Sequence, residues 1–515
     1  MALPQRIRIE RDIPVEMSDG VRLFADRYYP VRNPKAPTIL VRSPMGRRPL
    51  GDLYGQFFGR QGLQVVVQES RGASDALQLA AERRDGFDTI DWLRAQPWFD
   101  GKLALHGMSA MGFCHWALAA EVPELRAMSV HVGSSSIAGA LFTGGSVALE
   151  SLLIWCCNHS FASALATPTR ARRAIRSGIP ATDLDIATGG RTVPFYQAVV
   201  ADSTAANPLH TALDHSDVHT RRGIPPVHLV AGWYDIFLTG QLADYAALRA
   251  AGGRPQLTIG PWSHYDPRVM VTANREARQW FREHLRGMDA ALRDLPVRVF
   301  VTGARQWRDY ADWPPPGTLT QCWYLAPAGA LHPEPGAAAG TDVFHYDPAD
   351  PTPAPRGPVI VGDSRPQDSR RIEQRPDVLI YTGPALADAV EVTGSVTVEL
   401  YADSTHHPSD LVARLCDVHP DGRSVTVCEG IRRSEAPGAN RTIIELWPVA
   451  HRFESGHRLR LQVCGAAAPR YAAHPNPATH RIHYGFQTPS TVTLPVLTTS
   501  PGTSAAPPFR CDRSD

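Results

Sequence analysis

The chain has 515 residues, of which 43% are hydrophobic and 20% charged, the balance of a globular protein and not of a disordered one. Such a length exceeds what one hydrophobic core organises and predicts about two to four domains. Lys and Arg number 52 against 51 Asp and Glu, a formal net charge of +1. This balance gives no long-range pull on nucleic acid or on an anionic membrane, and both are excluded as expected partners.

The first residues, Met1-Ala-Leu-Pro-Gln-Arg-Ile-Arg, lack the apolar stretch and small-residue cleavage site of a secretory signal. No stretch reaches the roughly 18 consecutive apolar residues of a membrane span. The 8 cysteines are scattered, without a CxxC or a His/Cys spacing typical of metal sites. Cys156 and Cys157 are adjacent, and neighbours rarely bridge each other comfortably. The expectation is reduced thiols, a cytoplasmic location and no bound metal.

In chain order, Thr38–Val41 and Gln64–Gln68 are short apolar runs of the kind buried in a parallel sheet. Arg83–Gln96 carries Phe87, Ile90 and Leu93 at helical spacing and stops before Pro97. Leu103–His106 reads as the next strand, Phe113–Ala120 as a helix and Ala127–Val132 as another strand. This alternation predicts a doubly wound α/β sheet. The rhythm then breaks. Ala138–Leu213 has helical pieces at Leu152–Leu165 and Arg170–Arg176, and reads as an insertion lying over the sheet. Strands return at Val227–Ala231 and Gln256–Ile259, and a helix follows at Arg275–Arg286 before Gly287. From about Pro296 the style is all-β. Val392, Val396, Val398 and Leu400 punctuate one alternating strand. Leu411–Val418 and Ser424–Cys428 flank the turn Pro420-Asp421-Gly422, and Arg458–Val463 and Thr491–Val496 follow. A sandwich or jelly roll is expected there. The domain reading is a core over residues 1–137 and 215–318, a helical cap at 138–214 and a β domain at 319–515.

Gly107-Met108-Ser109-Ala110-Met111-Gly112 lies between an expected strand and an expected helix, the context of a nucleophile elbow. The serine oxygen would stand clear at the top of the sheet, with the backbone N–H of Ala110 facing a developing oxyanion. Taken alone, a serine capping a core helix explains the motif equally well. A serine nucleophile needs a base, and the base needs an orienting acid. Gly232-Trp233-Tyr234-Asp235 follows one expected strand and Gly260-Pro261-Trp262-Ser263-His264 follows the next. The order serine, acid, histidine, each after a strand, is that of α/β hydrolases. Ser109, Asp235 and His264 are therefore the expected nucleophile, acid and base.

These segments resemble the cocaine-esterase-like (CocE/NonD) hydrolases, which share a C-terminal domain with X-Pro dipeptidyl peptidases. The resemblance covers nearly the whole chain, through VRSPMG (Val41–Gly46), VVVQESRG (Val65–Gly72), PWFDGKLALHGMSAMG (Pro97–Gly112), GWYDIF (Gly232–Phe237), GPWSH (Gly260–His264), DVLIYTGPAL (Asp377–Leu386) and ARLCDVHPDGRS (Ala413–Ser424). It implies an α/β-hydrolase core, an inserted helical cap and a jelly roll. It also implies acyl-enzyme chemistry on esters or amides with no metal or organic cofactor, and it puts the triad on the same three residues. Two departures matter. The family commonly has tyrosine after the nucleophile, where this chain has Ala110. The family's second oxyanion donor is usually a tyrosine hydroxyl, where this chain has Met45, which has no donor. Losing one such donor costs on the order of 10²–10³ in rate, so the backbone N–H of Met45 or Gly46, or a nearby side chain, is the expected replacement, and the Met45 side chain itself reads as pocket lining.

Phe237, two residues after the acid, and Trp155, Phe161 and Phe142 in the cap are the expected substrate-contacting aromatics; cap core explains the last three equally well. Arg71-Gly72 reads as structural and His406-His407 as a solvated loop, while His115 and His131 stay unassigned. The leading expectation is a carboxylesterase acting on a small-molecule acyl substrate. An amidase, peptidase or acyltransferase with the same triad is the first alternative, although the cap shows no acidic cluster to anchor a substrate amine. A non-catalytic carbohydrate-binding protein is the second. Assembly into a homo-oligomer is left open.

Overall fold

Thr38–Ser43 and Gln64–Glu69 are almost wholly buried along their length, as strands covered on both faces must be. They sit inside the first of two units of this computed structural model, which describes residues 5–48, 50–71, 76–158, 161–362, 364–434 and 440–498. The first unit comprises Met1–Ala140 and Pro208–Pro296, and the second Leu141–Asn207 and Val297–Asp515.

In the first unit the strands run in the order Ile7–Glu16, Arg22–Pro30, Gln64–Glu69, Thr38–Ser43, Leu103–Met108, Leu125–His131, Val227–Tyr234 and Gln256–Ser263. The last six are mutually parallel, and the first two form an antiparallel margin. The margin escapes the sequence reading because Ile7–Glu16 is charged and half-exposed, without a clean period of two. The helix expected at Phe113–Ala120 instead spans Ala110–Trp116. It begins directly after Ser109, because that residue's left-handed backbone turns the chain from strand into helix with no loop between. Glu82–Arg94 matches the expected helix within two residues, whereas Pro267–His284 begins eight residues before the expected Arg275. Leu238–Ala250 and Leu50–Gly59 are added to them. One core is formed by Val41, Val65, Val67, Ala104 and Val230 of the strands with Tyr54, Phe58, Trp280 and Phe281 of the helices.

In the second unit, the helix expected at Leu152–Leu165 is two, Leu149–Cys157 and Phe161–Arg176. Leu184–Gly189 and Pro194–Ala201 follow. The segment that carries these helices is bonded to the C-terminal part of the same unit. Arg433 N donates to Gly144 O at 2.7 Å, Ala472 N to Val147 O at 2.9 Å, and Ile360 N to Ser151 Oγ at 3.2 Å. Gly144 is required at its position: its φ is +57°, and a Cβ there would stand 1.8 Å from the Ile431 carbonyl oxygen. The C-terminal part is a jelly-roll-type β fold in which Thr397–Ser404 pairs with three other strands. The single strand expected across Val392–Leu400 is two, Val390–Gly394 and Thr397–Ser404; both touch Thr491–Leu497, but the first runs mainly along Val449–Phe453 and the second along Asn440–Glu445 and Ala478–Tyr484. The turn at Pro420–Gly422 does join a hairpin, with Val418 opposite Ser424 and Gly422 at φ +84°.

One buried charge cluster in this unit centres on Glu429, gripped by Arg414 (Nε at 2.5 Å) and by Arg470. Burial alone raises the Glu429 carboxyl, and the two guanidiniums outweigh it and hold it below the usual range. Removing the acid strands two buried cations. Glu429→Ala is expected to lower stability by about 3–5 kcal/mol, read as a lower urea midpoint; a loss under about 1 kcal/mol would show the triad to be solvated.

The expectation of reduced thiols fails at Cys322, which is disulfide-bonded. Cys114, Cys156, Cys157, Cys416, Cys428 and Cys464 are free. No helix among the described residues is long and apolar enough to cross a membrane.

Candidate active site

Ser109 follows the last residue of the Leu103–Met108 strand and has φ 57° and ψ −132°, a conformation that a non-glycine residue adopts only when its surroundings compel it. Three glycines make the room. A Cβ on Gly107 would meet Met111 Cβ at 2.6 Å, one on Gly112 would meet Val130 Cγ1 at 2.6 Å, and one on Gly133 would meet Ser109 O at 2.5 Å. Gly112, one place later than in the usual G-x-S-x-G, therefore seats the helix against the neighbouring strand. Gly133 escapes the sequence reading. Its only signal is a glycine just past the expected Ala127–Val132 strand, and its role arises from an approach in space.

Val227–Tyr234 and Gln256–Ser263 are adjacent parallel strands with Ser263 opposite Tyr234. The residues that follow them are Asp235 and His264, so the register brings the two side by side. His264 Nδ1 lies 2.5 Å from Asp235 Oδ2, and His264 Nε2 lies 2.9 Å from Ser109 Oγ. The other carboxylate oxygen of Asp235 accepts the backbone N–H of Phe237 at 2.9 Å. His264 and Asp235 are fully buried and Ser109 is 7% exposed, so these bonds operate away from bulk water, where electrostatic interactions are strong.

The strand Thr38–Ser43 neighbours Leu103–Met108 with Leu40 opposite Leu105, so both strands finish level. Met45 and Gly46 occupy the turn beyond one, Ser109 and Ala110 the turn beyond the other. The Met45 N–H is engaged with Ser43 Oγ at 3.2 Å, and its side chain is half-exposed. Gly46 has φ +80°. Arg47, next in sequence, is tied to Asp12 at 2.7 Å and also to Asp26, which fixes the turn.

Of the expected aromatics, Phe237 lies beside the site, its ring 5.7 Å from that of His264. Tyr265 was not singled out from the sequence, yet its ring stands edge-on to His264 at 4.7 Å and is 46% exposed. Phe142 and Trp155 belong to the second unit. Phe142 is buried in a two-stranded ribbon with Val147 opposite, and Trp155 packs edge-on to Phe195 at 5.2 Å. Phe161 opens the Phe161–Arg176 helix, and its side chain lies outside the described residues. His115 and His131 are core residues: His115 Nε2 accepts the Arg42 N–H at 3.1 Å, and His131 Nε2 is 3.0 Å from Tyr54 Oη. Burial pushes both imidazoles well below their usual range. Arg71 ties Asp85 and Asp19 together at 2.6 and 2.8 Å, a structural role, and Gly72 lies outside the described residues. His406 Nε2 meets Asn476 Nδ2 at 2.7 Å.

A serine raised on a strained strand-to-helix turn, backed by a histidine and an acid from two later strands, places the chain in the α/β-hydrolase class. The family models agree. Residues 19–266 match the X-Pro dipeptidyl-peptidase (S15 family) and residues 291–494 the X-Pro dipeptidyl-peptidase C-terminal non-catalytic domain. The chain is 30% identical to a cocaine esterase of Rhodococcus sp. (strain MB1 Bresler), over 95% of this chain and 98% of that one. Its fold is similar to an aminopeptidase from the marine sediment archaeon Thaumarchaeota archaeon (TM-score 0.80, 20% identity, 96% and 97% of the chains). It is equally similar to an α-amino acid ester hydrolase (TM-score 0.78, 21% identity, 96% and 97%). The protein belongs to the cocaine-esterase-like (CocE/NonD) family and is a serine hydrolase of acyl bonds.

Proposed function

We propose that the enzyme is a carboxylesterase of small-molecule esters, with Ser109 as nucleophile. His264 Nε2 takes the Ser109 proton as Oγ attacks the ester carbonyl. Asp235 holds the imidazole in the tautomer with Nδ1–H and stabilises the imidazolium that forms. The tetrahedral intermediate collapses as His264 returns the proton to the leaving alcohol. Water, deprotonated by the same nitrogen, then releases the acid. The observation that carries this reading is the unbroken run of hydrogen bonds from Ser109 Oγ through His264 to Asp235. The ester preference leans on the relatives named for ester hydrolysis. The reading takes the enzyme as cytoplasmic, with no nucleic-acid or membrane partner.

The oxyanion is assigned to the backbone N–H groups of Ala110 and Gly46. The Met45 N–H is spent on Ser43, and among the described residues Gly46 N donates to no other group. Phe237 and Tyr265, both packed near the His264 ring, are assigned to the walls of the acyl or alcohol site. A crystal structure with an alkyl phosphonate on Ser109 is expected to put the phosphoryl oxygen within about 3.1 Å of both nitrogens. An oxyanion meeting Ala110 alone overturns the Gly46 assignment. Hydrolysis of p-nitrophenyl esters of rising acyl length tests the ester reading. Turnover only when an amine acceptor is added makes the enzyme an acyltransferase instead.

A further inference from the structure

Three histidines converge on one carboxylate in the second unit, far in sequence from the serine site. Asp417 is the penultimate residue of the Ser409–Val418 strand, His457 precedes Arg458–Cys464, and these strands pair with Val418 opposite Arg458. That register carries His419 and His457 onto each other, their rings 4.4 Å apart. His457 Nδ1 lies 2.7 Å from Asp417 Oδ1, and His419 Nε2 lies 3.9 Å from Asp417 Oδ2. Ligand atoms of the three residues all fall within 4.8 Å of one another. The sequence gives no warning, because about forty residues separate His419 from His457 and no short metal-binding spacing arises.

We propose that Asp417, His419 and His457 bind one divalent transition-metal ion, with zinc the ion they suit best. Two imidazoles and a carboxylate, with no thiolate, favour zinc, cobalt(II) or nickel(II) over calcium or magnesium, which prefer all-oxygen shells. Bonds of about 2.0–2.1 Å at tetrahedral angles put ligand atoms about 3.3 Å apart; His457 Nδ1 stands 2.7 Å from Asp417 Oδ1, one ligand atom from each residue lies within 4.8 Å of the others, and a side-chain adjustment of about 1 Å closes the set on the ion. The surroundings are those of a metal ligand set. His451 Nε2 holds Asp417 Oδ2 at 3.1 Å, and its other nitrogen lies 2.8 Å from Thr302 Oγ1. This pair positions the carboxylate as outer-shell partners of metal ligands do. Asp417 is buried while His419 is a quarter exposed, which leaves an entry path and a fourth position for water. Arg423 approaches His419 Nδ1 at 3.4 Å, and its charge is countered by Asp421 at 2.7 Å. Zinc replaces the proton between His457 Nδ1 and Asp417 Oδ1, and His457 keeps its remaining proton on Nε2.

The test is calorimetric titration of the chelator-treated full-length protein with zinc chloride, with the His264→Ala variant as a control for binding at the active-site histidine. One equivalent is expected to bind at micromolar or tighter affinity in both. His419→Ala, on an exposed turn where folding is safe, is expected to weaken binding at least about 10-fold, and His451→Asn about 10-fold through the carboxylate. Binding is expected to weaken at pH 5.5, because imidazole ligates only when unprotonated. No saturable uptake at micromolar zinc, or uptake that His419→Ala leaves unchanged, overturns the proposal.

Discussion

Ser109→Ala is expected to lower kcat by about 10⁶-fold on p-nitrophenyl esters, because serine and histidine act as a unit and removing either forfeits the whole nucleophilic route. The substitution should leave folding intact. Ser109 is only 7% exposed, alanine occupies the same space less one oxygen, and the strained φ of 57° belongs to a backbone that its glycine neighbours already accommodate. KM should change little, since the hydroxyl contributes mainly in the transition state. A fluorophosphonate should label the native protein once and the variant not at all. A variant that keeps more than about a hundredth of native kcat would point to another nucleophile. Equal silence of both proteins, with both folded, would argue for an acyl donor outside the ester panel.

The hydrogen-bonded trio was legible because each member directly follows a strand, and strand ends are marked by a change from apolar run to glycine. Gly232 and Gly260 interrupt the apolar runs near the ends of Val227–Tyr234 and Gln256–Ser263, and the order along the chain supplies the expected roles. What local pattern does not carry is proximity between distant segments. Gly133 matters only because the end of the Leu125–His131 strand passes against Ser109, and no spacing within the sequence encodes that approach. The same holds for the carboxylate shared by His451 and His457. Trp155 shows the opposite problem: an isolated aromatic in a helical stretch reads alike as substrate wall or as core, and its partner Phe195 lies forty residues on. In the β-rich unit the alternating pattern located strands well, yet merged Val390–Gly394 with Thr397–Ser404, because a change of pairing partner leaves no mark on a period of two.

Asp235→Asn is expected to cost about 10⁴-fold in kcat with KM nearly unchanged, and the surrounding geometry says why an isosteric change does so much. The Phe237 N–H donates to Asp235 Oδ1 at 2.9 Å. An asparagine must keep its carbonyl oxygen there, since turning the amide would set two N–H donors against each other. Its NH₂ group then faces His264 Nδ1, which can only accept, and the imidazole proton moves to Nε2. That nitrogen, 2.9 Å from Ser109 Oγ, now carries a proton where a lone pair is needed, so it cannot take the serine proton. The serine itself is untouched, so slow fluorophosphonate labelling should persist in this variant while it vanishes in Ser109→Ala. Substituting Phe237 by proline removes the constraint at Oδ1 and is expected to restore part of the lost rate when combined with Asp235→Asn, provided thermal melting shows the double variant folded. If Asp235→Asn alone retains kcat within about tenfold of native, the histidine is oriented by something other than Asp235, and the acid assignment falls.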